Sequence, residues 1–133
     1  MVKTLMDRID KILNHDSFLY HLGRNNAAEA DRRFCRHSMV HFLDVARIGT
    51  IIALEEGLKI DREWIYAAAL LHDCGKHEQY ENGTPHEQAS ARIAPEILKA
   101  CGFDDEETGV IVTAISRHRD PEAAKEKNLN GIL

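Results

Sequence analysis

The chain has 133 residues, 44% of them hydrophobic and 29% charged, which excludes a disordered chain or two ordinary domains and predicts one domain spanning residues 1–133. Its formal net charge of −5 excludes a general nucleic-acid binder, whose affinity for phosphate backbones comes from clustered Lys and Arg. The longest apolar run, Trp64 to Leu71, is far short of a bilayer span and the opening MVKTLMDRID is too polar for a signal peptide, so a cytoplasmic protein with no membrane partner is expected.

Strand signals are nearly absent and apolar residues recur at spacings of three and four, which predicts an all-α fold. In chain order, a first helix covers Val2 to about Leu13, and a second, mostly polar one runs from about Ser17 to Ala30 or beyond. His15 and His21 lie in polar surroundings there and read as solvent-facing. A third helix, from about Ser38 to Glu55, places Val45, Ile48 and Ile52 on a stripe expected to face inward, with His41 on the same stripe and Gly57 as its stop. Asp61 reads as the N-cap of the next helix, whose residues Trp64 to Leu71 are apolar on every side and belong in the middle of the core. That helix ends in HDCGK, residues 72–76, where Gly75 is expected to adopt the left-handed conformation that terminates helices. After a loop containing Asn82 and Gly83, Thr84-Pro85-His86-Glu87 reads as a capping box with proline at the first helical position. Pro95 is expected to kink or split the helix that follows, which closes near Cys101-Gly102. The acidic residues Asp104 to Glu107 favour another start, and the last clear helix runs to about His118. The three cysteines, Cys35, Cys74 and Cys101, are far apart and lack CxxC spacing, so neither a disulfide framework nor a thiolate zinc site is suggested.

Eight histidines are the compositional oddity. His86 begins the stripe Ala89, Ile93, Ile97, and His118 extends the stripe Ile111, Ile115. With His41 and His72, four histidines from separate helices are directed toward one interior. A single buried imidazole is usually a hydrogen-bonded structural residue. Four beside Asp73, itself at a buried position, point to metal, because an unpaired core carboxylate costs several kcal/mol that a divalent cation offsets. Neighbours on a helix diverge by about 100°, so His72 and Asp73 reach one ion most easily at a helix end. A carboxylate there can also bridge two ions, whereas each neutral imidazole takes one. His37, one turn before His41, forms an HxxxH pair that can itself hold a metal. Lys76 is the positive charge nearest the pair, placed either to orient a substrate phosphate or to interact with the helix dipole. Arg33, Arg36, Arg92 and Arg119 are further candidates for phosphate contact. No GxSxG elbow, base-paired cysteine or glycine-rich phosphate loop offers another chemistry.

His41 followed by Val45-Ala46, then HDCGK after a gap of thirty residues, resembles the HD superfamily of metal-dependent phosphohydrolases, over about Arg33 to His118. His86 and His118 are similar to the two additional histidines of its binuclear branch, which includes the bacterial symmetrical dinucleoside tetraphosphate hydrolases and the HD-GYP phosphodiesterases. The resemblance implies an HD-domain bundle of about five to six helices that cleaves a small phosphorylated substrate, a nucleotide by preference, through metal-activated water. It implies His41, His72 and Asp73 on one divalent ion, Asp73 bridging, and His86 with His118 on a second. Iron or manganese is favoured, with zinc, cobalt, nickel or magnesium compatible. Asp73 and Lys76 become the catalytic residues, Lys76 and Arg119 the substrate contacts, and His37 a supporting residue. The family's last ligand, an aspartate in a helix reading something like A-D-K, is not found, and the final residues NLNGIL resemble the approach to that helix. A C-terminally truncated domain is therefore expected, its uncovered apolar faces buried in a homo-oligomer; the alternative is divergence, with Asp120 or Asp44 as substitute ligand. A di-iron oxygenase of the same fold and a non-catalytic module binding a nucleotide or a partner protein stay open as other readings.

Overall fold

The computed structural model describes residues 6–28 and 39–133, and every regular element among them is helical. In order these are α1 (Asp7–Leu13), α2 (Asp16–Ala28), α3 (Met39–Glu55), α4 (Arg62–Leu71), α5 (Lys76–Asn82), α6 (His86–Ala100), α7 (Asp105–Ser116), a 3-10 turn at Ala123–Lys125 and α8 (Leu129–Ile132). Two of them, α5 and α8, are additional to the five or six helices expected. None of these helices is long and apolar enough to cross a membrane.

The most apolar segment lies at the centre. Asp61 caps α4 by accepting from the Glu63 amide at 2.8 Å, and Ile65 and Ala67 to Leu71 are all buried. α1, α3, α6 and α7 pack on α4, α2 pairs with α5, and α8 rests on α7 and α3. Arg8 of α1 joins the first turns of α4 and α7, with Nε 2.8 Å from Glu63 and Nη1 2.8 Å from Glu107. At the far ends of these two helices the rings of His72 and His118 are 5.1 Å apart. α4 and α7 therefore run side by side in the same direction. His41, near the start of α3, and His86, at the start of α6, reach the same end from oppositely directed helices.

Several local expectations are corrected. The buried face of α3 is Phe42, Ala46, Gly49 and Ala53, not the stripe of His41, Val45, Ile48 and Ile52; Ile48 is 58% exposed. α3 is apolar on nearly all sides, and its small residues decide the packing: a Cβ on Gly49 would lie 3.2 Å from Ile65 and 2.6 Å from Ile132. Its outer face leaves Val40, Ile48, Ile51 and Leu54 exposed. Gly75 has φ −95° and is no left-handed stop. Glycine is required there because a Cβ would come within 2.7 Å of Ala89 and the Ser90 amide nitrogen. Among the described residues the left-handed ones are Gly57, Gly83 and Gly102. α6 begins where expected but without a capping box: Pro85 is its N-cap, and Gln79 accepts from the His86 amide at 3.1 Å. The capping box belongs to α7, between Asp104 and Glu107. Pro95 sits inside an uninterrupted α6. Cys74 and Cys101 are buried free thiols; Arg33, Cys35, Arg36 and His37 lie outside the described residues.

Candidate metal centre

The turn His72–Gly75 leaves α4 and is held from two sides. The Gly75 amide donates to Ser90 Oγ of α6 at 2.9 Å. On the other side Asn25 of α2, fully buried, donates through Nδ2 to the Asp73 carbonyl at 2.9 Å and accepts from the His77 amide at 2.8 Å. These ties fix where the Asp73 side chain points.

Three histidines face the Asp73 carboxylate. His72 Nε2 lies 3.2 Å from Oδ2, while His86 Nε2 and His118 Nε2 lie 3.3 and 3.5 Å from Oδ1. Each ring has its other nitrogen against an oxygen acceptor: His72 Nδ1 at 2.5 Å from the Ala69 carbonyl, His118 Nδ1 at 2.7 Å from the Ile115 carbonyl, and His86 Nδ1 at 2.8 Å from Gln79 Oε1. Each Nδ1 must carry the proton, which leaves each neutral Nε2 as a lone pair. His86 Nε2 and His118 Nε2 then face each other at 3.1 Å with no proton between them when both rings are neutral. Imidazole lone pairs gathered about one carboxylate are the donor set of a cation, and orienting each ring through its outer nitrogen is how metal-ligating histidines are held. His72 and His118 also sit at the C-terminal ends of α4 and α7, where the helix dipoles favour positive charge. The residues present therefore fit a divalent cation.

The ligand atoms form two groups, His41 with His72 and Asp73, and Asp73 with His86 and His118, each within 4.8 Å of one another. Asp73 is shared, one oxygen toward His72 and the other toward the second pair. His41 is exposed rather than inward, at the rim of the site, its ring 6.3 Å from that of His72. Burial pushes His86 down to about 4, with Lys76 and His118 adding to the effect against Asp73, so the ring carries a single proton near neutral pH. For His72 burial acts in the same downward sense, but the Asp73 carboxylate, which accepts from Nε2 when that ring is protonated, outweighs it and the net shift is upward.

Lys76, half-buried at the start of α5, is near enough to act electrostatically on both His72 and His86. Arg119 is exposed beside His118, and Arg92 is paired with Glu78. Asp44 and Asp120 are not in either group among the described residues; they pair with Arg47 and Arg117 at 3.6 and 3.2 Å. His21 is not simply solvent-facing, since its Nδ1 is 2.8 Å from Nε2 of buried His77. Sequence reasoning passed over Asn25, His77 and Gln79. Each acts through contacts distant in the chain, which no periodicity signals.

The family described as HD domain matches residues 39–133. An uncharacterized protein of Clostridium beijerinckii is 50% identical over 118 residues, covering 89% of this chain and 75% of the relative. No solved structure gives a significant match.

Proposed function

Because the chain belongs to the HD-domain family, a superfamily of metal-dependent hydrolases, we propose that it hydrolyses a phosphoester or phosphoanhydride of a small substrate, a nucleotide by preference. The observation that supports this most is the cluster around Asp73, whose possible ligand atoms form two groups that share one carboxylate. His41, His72 and Asp73 would hold one divalent ion, and Asp73, His86 and His118 a second. Bound there, such ions supply a lowered pKa for water and neutralise charge on phosphoryl oxygens. Asp73 keeps the two groups at a fixed separation, and the ties from Asn25 and Ser90 keep Asp73 in place. Lys76 brings a positive charge beside the histidines for non-bridging phosphate oxygens, and Arg119 can add a second from the surface. An imidazole-rich set suits iron, manganese, zinc, cobalt or nickel better than magnesium, and iron or manganese is favoured by resemblance to the family's binuclear branch.

Elemental analysis of protein purified without added metal, paired with hydrolysis of p-nitrophenyl phosphate, bis(p-nitrophenyl) phosphate and a dinucleoside tetraphosphate, tests the reading. About two ions per chain and metal-dependent turnover are expected. His86→Ala and His118→Ala should each bring the content to about one ion and slow turnover ~100-fold, the equivalent of about 3 kcal/mol of lost charge stabilisation. Tight nucleotide binding without turnover would replace the proposal with a binding module, and oxygen consumption with an organic substrate would replace it with an oxygenase.

A further inference from the structure

The three histidines around Asp73 are oriented by two different devices. His72 and His118 lie at helix C-terminal ends, where free carbonyls of the last turn are available, and each Nδ1 takes the one three residues back. His86 lies at the first position of α6, where the free backbone groups are N–H donors and its own helix offers no acceptor. A side chain from α5 supplies it.

We propose that Gln79 is a positioning residue that holds His86 in the Nδ1-protonated tautomer and so aims its Nε2 lone pair at the Asp73 cluster; the proposal rests on the metal-centre reading above. The orientation of the Gln79 amide is forced. The backbone N–H of His86 can only donate, so the Gln79 atom 3.1 Å from it is the oxygen. The same oxygen is 2.8 Å from Nδ1, which must therefore carry the proton. Both lone pairs of Oε1 are used, one on the backbone and one on the ring of the same residue. Gln79 itself has little freedom, because α5 is pinned at its start by the bond from the His77 amide to buried Asn25 and stopped by left-handed Gly83.

The competing tautomer makes the contact consequential. With its proton on Nε2, His86 would donate to Asp73 Oδ1 at 3.3 Å or to His118 Nε2 at 3.1 Å, and either bond would satisfy the metal-free cluster while removing a ligand. Gln79 opposes that self-satisfied arrangement. Its loss should affect the group containing His86 and spare the group containing His41.

The test compares the wild-type chain with Gln79→Met, which removes the acceptor at similar volume, and Gln79→Glu, which restores it. Nitrogen-15 NMR of metal-free protein reads the His86 tautomer, and titration with Co(II), followed by its visible spectrum, reads the affinity of each ion. The wild type should show Nδ1–H at His86. Gln79→Met should shift His86 to Nε2–H and weaken the second ion ~10–100-fold, the usual cost of losing a partner to a ligating histidine, with the first ion unchanged. Gln79→Glu should recover both properties, which a merely structural role for Gln79 would not require. Retention of Nδ1–H in Gln79→Met, or equal second-ion affinity, overturns the proposal. Should Gln79→Met fail to fold, Gln79→Asn withdraws the same acceptor by one methylene. If wild-type protein binds no Co(II), the metal-centre reading falls and the tautomer result alone decides the role of Gln79.

Discussion

α4 and α7 run side by side and carry a polar cluster at each end. At their starts, Arg8 bonds Glu63 and Glu107, and the Trp64 indole donates to Glu107 at 2.7 Å. At their other ends, Asp73 faces the Nε2 atoms of three histidines. The first cluster matches donors to acceptors and a cation to anions. The second turns its ring Nδ1 atoms to outward acceptors and gathers the Nε2 atoms about one carboxylate. Half-buried polar groups that are complete in themselves are structural. Groups arranged as the donor set of a cation mark a site, and burial alone would not distinguish the two.

The largest effect should come from replacing the shared carboxylate. Asp73→Asn is expected to abolish stoichiometric metal binding and to lower turnover ~100-fold or more, since both groups lose their common oxygen ligands. Measured by denaturant unfolding, the metal-free variant should lose less stability than Arg8→Ala, because an amide N–H can donate to an imidazole lone pair where the carboxylate oxygen could not. A metal-free Asp73→Asn protein less stable than Arg8→Ala would break the comparison.

Arg8→Ala should do the reverse. It leaves Glu63 and Glu107 near each other without the cation that joins them, at an expected cost of about 2–3 kcal/mol, below that of a fully buried pair because these side chains keep some solvent contact. Metal stoichiometry, read by elemental analysis, should not change. A fall in bound metal would show that the two ends of α4 are coupled.

The helical class, the central place of α4 and the convergence of His41, His72, Asp73, His86 and His118 were legible in the sequence. α4 is apolar throughout, and His86 and His118 each head or extend a clear stripe. The face of α3 was not legible. With Met39, Val40, Phe42, Leu43, Val45, Ile48, Ile51, Ile52 and Leu54 in one helix, periodicity does not separate one stripe from the next. The deciding signal was the small residues Ala46, Gly49 and Ala53, which let α4 and α8 approach. Reading the wrong stripe moved His41 inward, although its nearness to His72 survives because both faces adjoin the end of α4. α5 was missed because KHEQYEN has no apolar stripe and is held by outside partners: Asn25 at its start, Arg24 on Glu81 and Arg92 on Glu78. The Arg8 cluster was hidden for the same reason, since its members are 55 and 99 residues apart in sequence.

The smallest effect sharpens the comparison from the structural end. Burial raises the Glu107 carboxyl, but the bonds from Trp64, Arg8 and the Asp104 amide outweigh it, and the net shift is below the ordinary value of 4.5. A depressed carboxyl pKa in the folded state contributes stability that is present above the unfolded value and is lost as pH falls through the folded one. The metal-free protein should therefore lose stability from about pH 4.5 downward, in part through Glu107. Glu107→Gln keeps an oxygen for Trp64 and removes the titration. This variant should start less stable at pH 7, because Arg8 loses one of its two nearest carboxylate partners, and its stability should fall less steeply below pH 4.5. The check is the difference in unfolding free energy between variant and parent across pH 3–7, measured on metal-free samples so that ligand protonation in the histidine cluster does not enter through metal release. A constant difference over that range would mean that Glu107 has the same affinity for protons in both states, and the cluster at the start of α4 and α7 would then hold the helices by geometry and packing with no net charge contribution.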